Sequence, residues 1–257
     1  MLVDSHCHLN YLDTAQKSLP DYINAATEKG IEHFLSISVD LKDFPQLLTI
    51  AEQFPQVSLS VGQHPNDAKM PLVSVDELLK LASHPRVVGI GETGLDYYRT
   101  EGDDIRDQQQ SFRDHIQVAK TLKKPLIIHT RDARADTLKI LREEGADQIG
   151  GVLHCFTEDL ATAQAAMDLG FYISFSGIVT FKNAIELQNV AKQIPLDRLL
   201  VETDSPWLAP VPMRGKPNEP AYVYYVAEFL ANLRGESLET IAKHTTQNFY
   251  QLFKIKQ

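Results

Sequence analysis

The stretch LVDSHCH (residues 2–8) runs from an apolar segment straight into two histidines, and the same order recurs along the chain. Side chains of an extended strand alternate between its two faces, so His6 and His8 share one face while Cys7 points to the other. Later apolar runs also end in residues that bind divalent cations: VVGIGE (87–92), PLIIH (125–129), GVLH (151–154) and RLLVETD (198–204). This repetition indicates a metal site assembled from the ends of several strands.

Eight short β-rich runs decide the fold class, and helical patterns separate most of them. The runs are Leu2–His6, His33–Ser38, Val57–Val61, Val87–Glu92, Leu126–His129, Gly151–His154, Phe171–Ser176 and Leu199–Thr203. Between them, Leu19, Ile23 and Ala26 share a helix face, and Ser74 with Glu77 has the spacing of a capping box. Strands that alternate with helices predict an α/β fold with a parallel sheet. Eight such units predict a (β/α)8 TIM barrel.

An open, doubly wound sheet is the structural alternative, and it would place its site at one switch point. Here the candidate ligands come from the first, fourth, fifth, sixth and eighth runs, whose ends meet only in a closed ring. TIM-barrel enzymes carry their sites at the carboxyl ends of the strands. The length of 257 residues fits one barrel domain spanning 1–257, because such barrels need about 250 residues.

The formal net charge of −9 argues against a basic surface that grips long nucleic acid. Bound cations can still invert the potential around a site, so short strands, chain ends or small phosphoesters stay possible substrates. No apolar run approaches the ~20 residues that span a bilayer, so no membrane association is expected. Cys7 and Cys155 are expected to be two buried, reduced thiols, which together with the lack of a secretory pattern predicts a cytoplasmic protein.

Six residues form the predicted metal site: His6, His8, Glu92, His129, His154 and Asp204. A single histidine after an apolar run is usually a hydrogen-bonded core residue, and a single acid is usually an exposed loop residue. Their matching positions at strand ends favour ligation instead. A catalytic zinc needs three protein ligands and a water, so six ligands suffice for two cations about 3.5–4 Å apart.

The predicted partition places His6, His8, Glu92 and Asp204 on one cation. Glu92 bridges to the second cation, which His129 and His154 complete. A carboxylate has two oxygens and can therefore serve both ions. The mixture of imidazole and carboxylate suits Zn, Mn, Co or Ni, with Mg also possible.

At these residues the chain resembles the TatD-type metal-dependent deoxyribonucleases of the amidohydrolase-like barrel superfamily. The matching segments are DSHCHLNYLD (4–13), GQHP (62–65), GIGETGLDYY (89–98), PLIIHTRDA (125–133), HCFT (154–157), FSG (175–177), ETDSPWLAP (202–210) and RGKPNEP (214–220). The resemblance implies hydrolysis of phosphodiester bonds in DNA, from a 3′ end, with divalent metal. It implies the same six ligands at their positions in this chain.

The expected mechanism uses a water activated by the two cations, with Asp204 accepting its proton before in-line attack on phosphorus. Asp204 and Glu92 are therefore the predicted catalytic residues. Glu202 and Asp4 share strand parity with ligands, so each is a candidate to hold a ligand histidine by its second nitrogen; the alternative is a salt bridge inside the barrel. The predicted bound partner is single-stranded DNA, its 3′ end or a short phosphodiester.

Substrate contacts are expected from His64, which lies at the end of the third run, and from Arg131 and Arg214. A guanidinium fork suits phosphate oxygens. The Pro-rich stretch 206–220 follows the last predicted strand and is interpreted as a functional loop, in which Lys216 and Asn218 are further candidates. Tyr97 and Tyr98 either stack a base or pack beneath the loop.

Two other functions fit the same residues. A small-molecule amidohydrolase or lactonase would use the same activated water against carbon. A non-catalytic metal-holding scaffold in a protein-export or quality-control complex is disfavoured, because structural sites close their coordination sphere and these ligands line an open barrel mouth.

Overall fold

The computed structural model describes residues 1–69, 71–102 and 104–256. The strands are β1 (Leu2–Cys7), β2 (Ile31–Ser36), β3 (Val57–Val61), β4 (Val87–Asp96), β5 (Leu126–Arg131), β6 (Gly151–Leu153), β7 (Phe171–Phe175) and β8 (Leu199–Val201). The helices are α1 (Leu19–Glu28), α2 (Phe44–Gln53), α3 (Val75–Ala82), α4 (Asp104–Leu122), α5 (Arg134–Glu143), α6 (Leu160–Asp168), α7 (Ile185–Gln193), α8 (Val223–Arg234) and α9 (Leu238–Phe253). Each predicted strand is present, although several ends differ.

Every strand pairs in parallel with the next one in sequence, giving the order β1 to β8. This order, with helices between the strands, confirms the predicted (β/α)8 barrel. Within the described ranges β8 and β1 form no regular ladder; separate hydrogen bonds join them. The Asp204 amide donates to the His6 carbonyl at 2.9 Å, and the Ser5 hydroxyl donates to the Val201 carbonyl at 2.9 Å.

Helix α9 packs beneath the starts of the strands, at the amino-terminal end of the barrel. Phe249 and Phe253 are buried there against the strand residues Val3, Leu35 and Ile127. Side-chain hydrogen bonds hold the helix in place, for example from the Asn248 amide to the Leu199 carbonyl at 2.9 Å. The hydrophobic effect favours this packing, in which α9 covers the amino-terminal end of the barrel. The carboxyl ends of the strands form the open mouth.

The segment TGLD (93–96), which follows Glu92, is predicted from its sequence to form a tight turn. Strand β4 instead runs on to Asp96, so this prediction is wrong. Its extension pairs with β5, with Gly94 opposite His129. Gly94 has φ +134°, and a Cβ at this position would collide with the His129 carbonyl oxygen. Glycine therefore permits the close approach that keeps the two strands paired beyond Glu92.

The two cysteines differ in one respect from the sequence prediction. Both cysteines are free, and Cys7 is buried, but Cys155 is partly exposed. Cys155 follows the end of β6 and lies beside Ser176, with 3.1 Å between Sγ and Oγ. The burial expected for Cys155 is therefore wrong. Among the helices of the described residues, none is both long and apolar enough to cross a bilayer.

Candidate metal centre

The barrel mouth brings the six predicted ligands together around the Glu92 carboxylate. His6 lies in β1, Glu92 in β4 and His129 in β5. His8 and His154 come directly after β1 and β6, and Asp204 lies three residues beyond the end of β8. The side chains of His6, His8, Glu92 and His154 are at most 4% exposed, and those of Asp204 and His129 are 14% and 19% exposed. Solvent therefore reaches the cluster mainly past Asp204 and His129.

One half of the cluster joins His6 and His8 to both carboxylates. The two Nε2 atoms lie 3.2 Å apart. Glu92 Oε2 is 3.4 Å from His6 Nε2 and 4.0 Å from His8 Nε2, and Asp204 Oδ1 is 3.6 and 3.3 Å from the same two atoms. These four residues are the set expected to hold the first cation.

The other half surrounds the second oxygen of Glu92. Its Oε1 lies 2.8 Å from His154 Nε2 and 3.2 Å from His129 Nδ1. His64 Nε2 also approaches this oxygen, at 3.4 Å. The sequence predicts His64 only as a substrate contact, whereas in the structure it also borders the predicted position of the second cation.

The hydrogen bonding of His64 distinguishes it from the other histidines. Its Nδ1 accepts the backbone N–H of Asn66 at 3.1 Å. A neutral imidazole that accepts at one nitrogen carries its proton on the other. Burial lowers the pKa of His64 to about 4, so the ring is neutral and Nε2 donates. This arrangement favours donation to an anionic oxygen over metal ligation, as expected of a substrate contact.

Both carboxylates of the cluster are ionised at neutral pH. Burial would raise the pKa of Glu92, but the charge of His154 and hydrogen bonds from His129 and His154 hold it well below its ordinary value. Burial also opposes ionisation of Asp204, and a hydrogen bond from His8 with the charge of His6 lowers its pKa. Metal binding requires carboxylates in this state.

The donor set fits borderline divalent cations. The nitrogens converge with two anionic carboxylates in a water-poor mouth, which is the combination that Zn, Mn, Co or Ni prefers. The rings of His6 and His154 are stacked with centroids 3.8 Å apart, and burial together with the charge of His154 lowers the pKa of His6, which favours the neutral form that binds metal. His6 Nδ1 is also buried without a hydrogen-bond partner within the described ranges. The cluster is thus poorly explained as a structural hydrogen-bond network.

Residues outside the cluster fix the ligand rings. Glu202 Oε1 accepts the Cys155 backbone N–H at 2.7 Å and lies 3.2 Å from His154 Nδ1, the contact expected from its strand parity. His8 Nδ1 lies 3.3 Å from the Ile37 carbonyl oxygen. Such partners set which ring nitrogen faces a metal.

Asp4 does not hold a histidine ring, so this part of the prediction is wrong. Its carboxylate accepts the Thr203 backbone N–H at 2.8 Å and the Thr203 hydroxyl at 2.6 Å. Asp4 shares the inward-facing strand parity of His6, but its carboxylate is occupied by Thr203, which follows β8. Asp4 instead joins the first and last strands below the site.

Asp96 is a functional candidate that the sequence interpretation missed. Its Oδ2 lies 3.2 Å from His129 Nε2, and Asn66 donates to the same oxygen at 3.2 Å. Burial opposes ionisation of Asp96. The hydrogen bond from His129 is the largest contribution that favours the ionised form, and the pKa of Asp96 falls to about 2. Asp96 follows Glu92 by four residues and so shares its strand face; the expected turn concealed this signal.

The two arginines expected at the substrate both lie over aromatic rings. Arg131 stacks on Tyr98 and Arg214 on Phe181, each 3.8 Å from guanidinium carbon to ring centroid. Stacking of this kind orients a guanidinium without using its hydrogen-bond donors. Tyr97 instead packs against the core and donates its hydroxyl to Asp136 at 2.8 Å.

Asn218 is not placed to contact a substrate, so that expectation is wrong. It is 1% exposed, and its amide donates to the carbonyls of Thr203, at 2.8 Å, and Trp207. Asn218 therefore ties the far end of the 206–220 loop to its beginning. Lys216 is exposed, and Lys17 pairs with Glu219 at 2.6 Å to anchor the same loop.

Replacing Glu202 with Gln is expected to weaken metal binding about 10- to 100-fold, because loss of the charge makes His154 a poorer ligand. A competition titration with a chelating dye measures this affinity, and excess metal should restore most of the metal content. Glu186→Gln, an exposed acid at the start of α7, is the matched control. Unchanged affinity in the Glu202 variant would contradict the positioning role.

Comparisons with known proteins agree over nearly the whole chain. The sequence profile of the family described as TatD related DNase matches residues 3–254. YcfH of Escherichia coli K12, an uncharacterized metal-dependent hydrolase, is 52% identical over 256 residues, which cover 99% of this chain and 96% of that protein. The 3′-5′ ssDNA/RNA exonuclease TatD of Salmonella typhimurium is 33% identical over 246 residues, covering 93% and 94%. The crystal structure of YjjV, a TatD homologue from E. coli K12, superposes with a TM-score of 0.90 at 26% identity, covering 99% and 98%.

Proposed function

The chain belongs to the TatD related DNase family of metal-dependent hydrolases, and from that premise we propose that it removes nucleotides from the 3′ ends of single-stranded nucleic acid. The observation that carries the proposal is the placement of Glu92, whose two oxygens face two separate groups of histidines. That division suits a carboxylate bridging two cations, the arrangement used for in-line phosphoryl chemistry. The relative at 33% identity that is named an exonuclease supports the choice of substrate.

The proposed ligands of the first cation are His6, His8, Glu92 and Asp204. Those of the second are Glu92, His129 and His154. When bound, the cations would supply the Lewis acidity that lowers the pKa of water to about 7 and offsets negative charge on phosphate oxygens. His8 and His129 are held for this role by the Ile37 carbonyl and by Asp96.

The chain itself supplies the base and the substrate contacts. Asp204 is ionised and partly exposed at the mouth, so its carboxylate accepts the proton of the attacking water. His64 Nε2–H points toward the same region and donates to a phosphate oxygen. Arg131 and Arg214, each fixed over an aromatic ring, add positive charge at the rim of an acidic protein. This local charge attracts phosphate at the mouth, whereas the net charge of −9 disfavours a long duplex track over the rest of the surface.

A nuclease assay tests the proposal directly. Protein freed of metal and resupplied with Mn²⁺ or Zn²⁺ should shorten 5′-labelled single-stranded DNA stepwise from its 3′ end, and a strand blocked by a 3′ phosphorothioate linkage should resist. Duplex DNA with blunt ends should react more slowly, because its terminal bases are paired. The matched control is the same protein with a chelator.

Two outcomes would contradict the proposal. Turnover of a lactone or cyclic amide without turnover of any nucleic acid would assign the same centre to carbon electrophiles. Tight metal binding with no hydrolysis of phosphodiester, lactone or amide would leave only a scaffold role.

A further inference from the structure

Two aromatic side chains lie together beside the metal centre, one on each side of the junction between β1 and β8. Tyr11 ends the short 3₁₀ helix Leu9–Tyr11 that follows β1, and Trp207 lies in the 206–220 loop after β8. Their ring centroids are 5.8 Å apart. The His8 ring is 5.0 Å from Trp207 and 6.0 Å from Tyr11. We call Tyr11 and Trp207 the aromatic platform.

The platform is both exposed and fixed. Tyr11 is 40% exposed and Trp207 48% exposed, so both rings face solvent next to a proposed ligand. The Tyr11 hydroxyl donates to Asp43 at 2.6 Å, and the Trp207 backbone N–H donates to the Asp204 carbonyl at 3.0 Å. Asn218 holds the Trp207 carbonyl from the other side. Rings held in advance lose little entropy when a ligand stacks on them.

The shape of the platform decides what it accepts. The two ring planes meet at 55°, so they form a shallow, tilted corner. Rings at this spacing leave no slot for a flat group between them, but each offers an outer face. A planar ring stacks on one face and touches the edge of the other, which is a favoured aromatic geometry.

Single exposed apolar residues are common on protein surfaces and need no explanation. This pair differs because both rings contact the same proposed ligand, His8, at the open mouth. Hydrogen bonds also anchor the pair on both sides, from the Trp207 backbone N–H to the Asp204 carbonyl and from the Tyr11 hydroxyl to Asp43, which directly precedes α2. If the phosphate of a ligand lies at the cluster, the chemical group attached to that phosphate therefore lies against these two rings.

We propose that the aromatic platform stacks an unpaired nucleobase of the nucleotide whose phosphate lies at the metal centre. This inference rests on the proposed function and specifies its substrate. Stacking uses the π face that every base has, so it accepts any base and either sugar. A base within a duplex cannot reach the platform without leaving its stack. The platform thus selects frayed or single-stranded ends of DNA and RNA alike.

Trp207 is the single tryptophan of the chain, so its fluorescence reports on the platform directly. Titration of the Mg²⁺-supplied protein with thymidine 5′-monophosphate should quench this emission. Titration with 2-deoxyribose 5-phosphate, which carries the same phosphate without a base, should not. Equal quenching by the two ligands would overturn the inference. Unchanged emission at a nucleotide concentration that calorimetry shows to be saturating would overturn it as well.

Variants give the size of the effect. Trp207→Ala should weaken binding of thymidine 5′-monophosphate about 5- to 150-fold, equivalent to about 1–3 kcal/mol, and leave 2-deoxyribose 5-phosphate unaffected. Trp207→Phe should retain most of the affinity. Val211→Ala, an exposed apolar residue of the same loop, is the control. Equal losses for both ligands would contradict stacking and indicate a damaged loop.

Hydrolysis assays separate this inference from the proposed function. Wild-type protein should cleave thymidine 5′-p-nitrophenyl phosphate with a much higher kcat/KM than methyl p-nitrophenyl phosphate, and Trp207→Ala should remove most of that preference. Cleavage of both esters at the same rate would refute the platform while sparing the phosphodiesterase. Failure to cleave either ester or single-stranded DNA would refute the phosphodiesterase, and the fluorescence titration would still decide whether the platform binds a base.

Discussion

Replacing Asp204 with Asn is expected to lower kcat by about 10²- to 10⁴-fold, the range lost with a general base. Asn keeps an oxygen that can face His6 and His8, so the cluster should retain most of its metal. The amide cannot accept the proton of water near neutral pH, and turnover should therefore fall much more than metal content. Metal analysis and single-turnover kinetics on single-stranded DNA measure the two quantities separately.

The control for this substitution is Asp132→Asn. Asp132 and Asp204 both adopt left-handed backbone conformations after strands at the barrel mouth, with φ of 54° and 57°. Non-glycine residues seldom adopt this conformation, so the two substitutions are matched in backbone conformation as well as in chemistry. Asp132 lies outside the cluster and is exposed, so its variant should keep its activity. Full activity in Asp204→Asn would exclude Asp204 as the proton acceptor.

Replacing Glu92 with Gln should have the larger effect, a loss of activity of about 10⁴-fold or more. The neutral amide offers one oxygen and removes the negative charge shared by both halves of the cluster. Both cations should then bind more weakly, and water would return toward its ordinary pKa. Chelator competition and end-labelled DNA assays, run across a range of metal concentrations, measure the loss.

Glu202→Gln provides the matched comparison for Glu92→Gln. Both residues are buried glutamates that contact His154, and both substitutions conserve shape. If Glu92 joins the two halves, excess metal should rescue Glu202→Gln and fail to rescue Glu92→Gln. Equal rescue of both variants would contradict the bridging role of Glu92.

Much of this architecture could be predicted from local pattern alone. Strand alternation places His6 and His8 together, and repeated strand-end ligands require a ring that unites them. The hydrogen bond from Glu77 N to Ser74 Oγ at 3.2 Å is likewise the one that the capping spacing predicts. The shared face of His6 and His8 and the helix cap depend on residues close in sequence, whereas the ring follows from the repetition of the same strand-end pattern.

The remaining differences depend on contacts between segments far apart in sequence. Glycine at position 94 suggested a turn, yet pairing with β5 kept the strand extended and brought Asp96 to His129. Parity identified Asp4 and Glu202 as inward-facing, but only the three-dimensional packing assigns one to Thr203 and the other to His154. Asn218 looked like an exposed loop residue because its two carbonyl partners lie 11 and 15 positions away.

The junction between the first and last strands has a consequence for the whole molecule. Isolated hydrogen bonds close it, and the proposed ligands straddle it, with His6 and His8 on one side and Asp204 on the other. A cation bound to both sides acts as a clasp between the beginning and the end of the barrel. Its binding free energy adds to the resistance of the fold to opening, by mass action. The affinity for the cation and the free energy of unfolding of the barrel are then linked, so a change in one changes the other.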